Sequence, residues 1–269
     1  VKGIVDVTKP PYNCDNTGKT DCTKALRAAI DDIFKEYYDA FCATVKKLDA
    51  MPGKEAWIGF EIRRVNGKRC IVWPEKLPMS KIIYFPNGTY LVSDTISYSF
   101  EHFRNIFNNV PYLEMNCRLR LMGQSMEGVT IRLQDHCKGF EYGNDRPVIS
   151  FMRGEASNIA MTNMIENLTI DIGRGNPGAT GVVYFANNTG AARNLRILSG
   201  DDSLRGCVGF EICHDKASAC IAENIEVIGF DYGFKVTPQT HFAFFEHIRA
   251  KGQKRAGFFV GDTIVSIRD

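Results

Sequence analysis

The chain has little that marks a nucleic-acid or membrane partner. Its 269 residues carry 33 Lys and Arg against 31 Asp and Glu, a formal net charge of +2. That balance creates no one-signed field to draw in nucleic acid or an anionic bilayer. No apolar run approaches the length of a membrane span. Nine cysteines are present, an odd number that cannot all pair internally. None has the paired Cys-x-x-Cys spacing of a zinc site. Cys14 and Cys22 flank one loop and are the pair to test for a disulfide, whereas Cys207, Cys213 and Cys220 read as buried thiols of one coil region. The histidines His102, His136, His241 and His247 form no triad or metal spacing, and His214 reads as a surface residue. No signal-type segment is present and the chain starts at Val1, which reads as a mature or trimmed chain.

What the chain does have is a repeat. One pattern reads Asn167-Leu-Thr-Ile, Asn194-Leu-Arg-Ile, Asn224-Ile-Glu-Val and, more loosely, His247-Ile-Arg-Ala. A second reads Gly181-Val-Val-Tyr, Gly209-Phe-Glu-Ile, Gly233-Phe-Lys-Val and Gly257-Phe-Phe-Val. Copies recur at about 23 to 30 residues, within the range of solenoids. Two short alternating strands per unit, with no helix between them, predict an all-β fold: a single-stranded, right-handed parallel β-helix whose coils bury their apolar faces against their neighbours. Alternation points Leu168, Ile170, Leu195, Ile197, Ile225, Val227 and Ile248 inward, with Phe210, Phe234 and Phe258 from the second strand. Thr169, Arg196, Glu226 and Arg249 point outward as a ladder of largely alternating charge, which pins the register. Asn167, Asn194 and Asn224 stack at a bend, where buried Asn side chains satisfy turn amides.

Around these coils the sequence divides further within one domain. Residues 1–50 predict a strand over 1–7, a polar loop over 13–23, and a helix from about Thr23 to Lys47, capped by Asp21 or Thr20. Leu26, Ala29, Ile30, Ile33, Tyr37, Phe41, Val45 and Leu48 follow helical spacing, so this helix serves as an N-terminal α-helical cap over the first coil. Residues 51–80 read as an inserted hairpin around Asn66-Gly67. Residues 81–269 are coils, with an irregular stretch at 98–115 that reads as a short helix or an ordered loop. The chain stops at Ser266-Ile-Arg-Asp in a strand with no capping helix, which predicts C-terminal truncation.

Four segments carry a family resemblance. Asp15-Asn-Thr-Gly-Lys-Thr-Asp-Cys-Thr-Lys-Ala resembles the loop that leads into the first helix of the pectate-lyase-like (pectin-lyase-like) superfamily, with Cys22 in place of an Asp and the first Gly missing. Tyr84-Phe-Pro-Asn-Gly-Thr-Tyr-Leu-Val, Leu119-Arg-Leu-Met-Gly-Gln-Ser and Thr130-Ile-Arg-Leu match its next signatures. The coil beginning Ile165-Glu-Asn-Leu-Thr-Ile resembles bacterial glycoside-hydrolase-related proteins and the N-terminal half of family 55 exo-β-1,3-glucanases. The resemblance implies a β-helix acting on a polysaccharide and leaves the reaction open.

Glycoside hydrolysis requires two carboxyl groups. The outward column of the second strand is Val183, Glu211, Lys235 and Phe259, with one carboxylate. Its partner must come from a turn: Asp201 and Asp202 follow one strand and Asp215 another. Candidate catalytic residues are therefore Glu211, Asp201, Asp202 and Lys235. Asp201 and Asp202 also read as a solvated turn, and Glu211 with Lys235 as an exposed ion pair. Asp215, Tyr232 and Phe259 are candidate substrate contacts, with Tyr142 and Trp73 available to stack on sugars. The expected activity is glycoside hydrolysis by a secreted or periplasmic bacterial protein on a polysaccharide or oligosaccharide, with no cofactor and no resident metal. One alternative is a pectate-type lyase with Lys235 as base, which would enlist Ca2+. The other is a non-catalytic glycan-binding or spike-like module. An enzyme is expected as a monomer, a spike as a trimer.

Overall fold

The computed structural model describes residues 3–49, 55–57, 60–65, 68–72, 81–97, 119–151, 163–186, 190–213, 220–237 and 242–269. The chain winds into a parallel β-helix with two sheets. One runs Ile4–Asp6, Ile82–Phe85, Arg120–Gly123, Met164–Asp171, Ala191–Leu198, Cys220–Ile228, Ala243–Lys251 and Val265–Arg268, joined at its side by Gly88–Val92 and Val129–Leu133. The other runs Ile96–Ser97, Arg146–Ser150, Ala179–Val183, Val208–Ile212, Tyr232–Val236 and Ala256–Val260.

The first strand of each repeat is longer than its motif. Met164–Asp171 pairs with Ala191–Leu198 in two runs, Met164–Glu166 and Leu168–Asp171, and the intervening Asn is skipped. Asn167, Asn194, Asn224 and His247 all have left-handed backbones, with φ of 58°, 51°, 51° and 51°. A short polar side chain tolerates that region better than most residues do. The Asn194 amide donates to Asn167 Oδ1 at 2.8 Å, and Asn224 donates to Asn194 Oδ1 at 2.9 Å. The expectation of buried Asn side chains serving turn amides is thus corrected: these side chains are part-exposed and bond one another.

Inside the coils, Leu168, Ile170, Leu195, Ile197, Ile225 and Val227 are buried, while Ile248 in a late coil is half-buried. Phe210, Phe234 and Phe258 stack along the axis with centroids 6.2 and 5.6 Å apart, and Phe245 packs edge-on against Phe258 at 5.0 Å. The repeated glycine has a packing cause. A Cβ on Gly181, Gly209 or Gly233 would lie 2.7, 2.9 or 2.6 Å from the carbonyl oxygen of the matching glycine one coil on. Outside, Thr169, Arg196, Glu226 and Arg249 are in register, with Arg196 Nε 2.9 Å from Glu226. Thr169 departs from the open face expected of it: it is covered, and its hydroxyl donates to the Met126 carbonyl at 2.7 Å. A parallel ladder joins Glu166, Arg193 and Glu223 at 3.7 and 2.9 Å.

At the N-terminal end, the stretch read as loop contains a strand, Thr17–Asp21, paired to Gly88–Val92. The helix spans Thr23–Asp49. Asp21 accepts from the Thr23 amide and hydroxyl at 2.9 and 2.5 Å and from the Ser93 hydroxyl at 2.6 Å, serving the first helical amide. Leu26, Ala29, Ile30, Ile33 and Phe34 are buried. Arg27 pairs with Asp94 at 2.7 Å, and Asp94 also pairs with Arg146 of the second sheet, so one carboxylate ties helix to coil. The side chains of Tyr37, Phe41, Val45 and Leu48 lie outside the described residues, as do Trp73 and the stretch 98–115. Glu55–Trp57, Phe60–Val65 and Lys68–Val72 form an antiparallel sheet in which Val65 pairs with Lys68.

Candidate functional site

The second sheet presents the outward column Val183, Glu211, Lys235 and Phe259 in register. Alternation along each strand, with the glycine and phenylalanine of the repeat committed to packing, leaves this one position per coil free to carry chemistry. Lys235 Nζ lies 2.9 Å from Glu211 Oε1. The exposed-pair reading is corrected here: Glu211 is only 8% exposed, and Val183 beside it is buried. An ionised carboxylate in that position requires its lysine. Burial works against the charge on Lys235, but the hydrogen bond and charge of Glu211 outweigh it and raise the lysine above its usual range.

Loops from earlier and later coils wall this column. A cavity of about 460 Å³ is lined by Asn144, Asp145, Cys207, Glu211, Cys213 and Lys235. A neighbouring cavity of about 230 Å³ shares Asp145, Cys207 and Lys235 and adds Tyr142, Asp231, Tyr232 and Arg255. The two form one groove. Cys207 Sγ donates to Asp145 Oδ1 at 3.0 Å. Burial and that carboxylate push the Cys207 thiol up to about 12, so it stays protonated as a donor. Arg255 lies 3.3 Å from Asp231 and stacks over the Tyr232 ring at 5.7 Å. Phe259 meets Tyr232 edge-on at 5.6 Å and is 42% exposed.

The groove thus brings together Glu211, Lys235 and Tyr232, with Phe259 at its side. Asp201 and Asp202 line neither cavity. Asp201 is committed to the backbone: Oδ1 accepts from the Ser203 amide at 2.8 Å and from its hydroxyl, and Oδ2 accepts from the Gly175 amide at 3.0 Å. These bonds, the Ser203 hydroxyl foremost, hold its carboxyl down at about 2. The Asp202 side chain is 93% exposed and lies 3.9 Å from Arg174. Asp215 and His214 lie outside the described residues. Sequence reasoning missed Asp145, Asp231 and Arg255. Asp231 and Arg255 stand at the starts of second strands, one residue before Tyr232 and Ala256, which was a usable signal. Asp145 stands likewise one residue before Arg146–Ser150, two coils earlier, but that strand lacks the repeated glycine, so the repeat did not point to it. Among the described residues, no three His, Cys, Asp or Glu side chains gather as ligands for a metal ion.

Residues 6–265 match the family model described as rhamnogalacturonase A/epimerase, pectate lyase-like. No curated protein matches the chain. Among solved structures, ORF18 of Geobacillus virus E2 is similar at 16% identity and a TM-score of 0.40, over 96% of this chain and 41% of that one. The A-module of the mannuronan C-5 epimerase AlgE6 from Azotobacter vinelandii is similar at 15% identity and a TM-score of 0.37, over 94% of this chain and 57% of that one. The N-terminal fragment of gene product 12 of bacteriophage phi29 is similar at 15% identity and a TM-score of 0.29, over 97% of this chain and 43% of that one. The chain therefore spans about half the length of these structures or less.

Proposed function

The chain belongs to the pectate-lyase-like rhamnogalacturonase A/epimerase family, and from that premise we propose that it is a secreted or periplasmic glycoside hydrolase that cleaves a polysaccharide in the Glu211–Lys235 groove. The observation that carries this reading is the convergence of two carboxylates, Glu211 and Asp145, on one cavity beside a paired lysine. Hydrolysis needs one carboxyl to protonate the leaving oxygen and another to act as base or nucleophile. Glu211, held against Lys235, suits the ionised role. Asp145, which accepts from the Cys207 thiol, is assigned the other role. Tyr142, Tyr232 and Phe259 offer ring faces and edges along the groove for sugars to pack on.

A lyase reading needs an unprotonated base. Lys235 is its candidate, and the bond to Glu211 keeps that lysine charged, which favours hydrolysis. A spike-like module calls for an apolar stripe along the solenoid. Among the described residues, most of the exposed large apolar side chains gather between Phe242 and Ile267, in the last coils, and not along a face.

The test is a panel of neutral and acidic polysaccharides, scored for new reducing ends and for unsaturated products. Hydrolysis predicts reducing ends alone. Glu211→Gln and Asp145→Asn each lower the rate by about 100-fold or more, while Asp202→Asn leaves it unchanged. Unsaturated products move the assignment to a lyase. Full activity in both groove variants removes the groove as the site.

A further inference from the structure

We propose that the second-sheet groove takes uncharged sugar units and rejects uronic acids. The inference deepens the hydrolase reading of that groove and rests on it. Among the described residues, the groove holds two cations, Lys235 and Arg255, and three carboxylates, Asp145, Glu211 and Asp231. Both cations are engaged within it. Lys235 Nζ lies 2.9 Å from Glu211 Oε1, and Arg255 Nε lies 3.3 Å from Asp231 Oδ2. The Arg255 guanidinium also lies over the Tyr232 ring, and its Nη1 donates to the Tyr232 hydroxyl at 3.5 Å. The third carboxylate, Asp145, has the Cys207 thiol as its partner and, among the described residues, no cation in ion-pair contact.

A uronate carboxylate entering this groove meets no described cation free to receive it. It must draw Lys235 from Glu211 or Arg255 from Asp231. Glu211 is 8% exposed, and without its lysine it is a buried, uncompensated charge. Asp231 is the more covered member of its own pair, at 29% side-chain exposure against 56% for Arg255. Hydrogen bonding acts in the same direction. An ionised carboxylate only accepts, whereas a sugar hydroxyl also donates. Asp145 and Asp231 are acceptors, so hydroxyls can donate to them without breaking either ion pair. A neutral ring thus leaves both pairs intact, and the discrimination comes from the charge that a uronate would strand.

The test compares short oligomers of polygalacturonate, polymannuronate and polyglucuronate with the same oligomers after reduction of every carboxyl to a primary alcohol. Linkage and ring configuration are then shared, and only the charged group differs. Binding to the whole folded chain is measured by calorimetry. The reduced member of a pair is expected to bind about 10-fold or more tightly than the acid. Asp231→Asn frees Arg255, so the acid gains affinity relative to its reduced partner and the gap closes. An acid that the wild-type chain binds as tightly as its reduced partner, or more tightly, overturns the proposal. So does a gap that Asp231→Asn leaves unchanged. The wild-type comparison decides the matter even if the variant fails to fold. Hydroxyl-radical footprints of the same mixtures separate this failure from failure of the groove reading. A tightly bound acid that protects Tyr232 and Phe259 sinks the selectivity alone. Ligands that protect neither residue, or no binding by any pair, sink both.

Discussion

Replacing Asn194 tests what holds the bend of each coil. Asn194 has φ of 51°, donates to Asn167 and accepts from Asn224. Alanine loses both side-chain hydrogen bonds, which at this partial exposure sit near the lower end of about 0.5–1.5 kcal/mol each. Asn194 carries a Cβ too, so alanine forfeits only the part of the left-handed cost, about 1–2 kcal/mol for an ordinary side chain, that a short polar side chain offsets locally. Together these amount to roughly 1–2 kcal/mol, or a fall of about 2–8 °C in melting midpoint for a chain of this size. Glycine loses the same bonds but is free of the Cβ cost, offset in part by its larger unfolded-state entropy. Asn194→Gly should therefore fall between wild type and Asn194→Ala. The assay is urea unfolding followed by circular dichroism, with an unchanged slope required before midpoints are compared. Alanine matching or exceeding glycine would refute the left-handed bend as the reason for asparagine. Both variants matching wild type would refute the ladder as well.

Three further outcomes follow from the same structure. Gly209→Ala places a Cβ 2.2 Å from Val227 Cγ1 and 2.9 Å from the Gly233 carbonyl oxygen, neither of them easily moved; unfolding should show a loss of about 1–3 kcal/mol. Lys235→Met leaves Glu211 buried without its partner, and the same assay should show a loss of about 1–3 kcal/mol that the Glu211→Gln/Lys235→Met double variant largely restores. Asp201, held down to about 2 when folded, stabilises the chain fully above its ordinary value near about 4 and loses that contribution as pH falls toward 2. Acid titration of Asp201→Asn should accordingly show a shallower loss of stability across that window.

The solenoid was legible because its two signals have local physical causes. Asparagine marks a left-handed bend, and glycine marks a position where the next coil's backbone leaves no room for a Cβ. Thr17–Asp21 was hidden because Thr-Gly-Lys-Thr-Asp has no apolar alternation. It is a strand by virtue of its pairing with Gly88–Val92, some 70 residues away in sequence. The groove was half legible. Glu211 and Lys235 follow from counting alternate positions in the repeat. Asp145 does not, since the strand it precedes, Arg146–Ser150, lacks the glycine that marks the later second strands, and only packing carries it to Cys207. Asp201 and Asp202 drew attention as adjacent carboxylates, yet an Asp two residues before a Ser is also a common way to close a turn on its own amides, and Asp201 does so.

The central claim is that carbohydrate lies along the second-sheet groove. Hydroxyl-radical footprinting with saturating oligosaccharide, cut from the first polysaccharide that the panel shows to be altered, tests it directly. Tyr142 at 73% exposure, Tyr232 and Phe259 are the groove's reporters, with Phe244 and Ile267 of the first sheet as exposed controls. The account predicts protection of Tyr142, Tyr232 and Phe259 with the controls unchanged. Protection of Phe244 and Ile267, with Tyr142 and Tyr232 still oxidised at the unliganded rate, would contradict it.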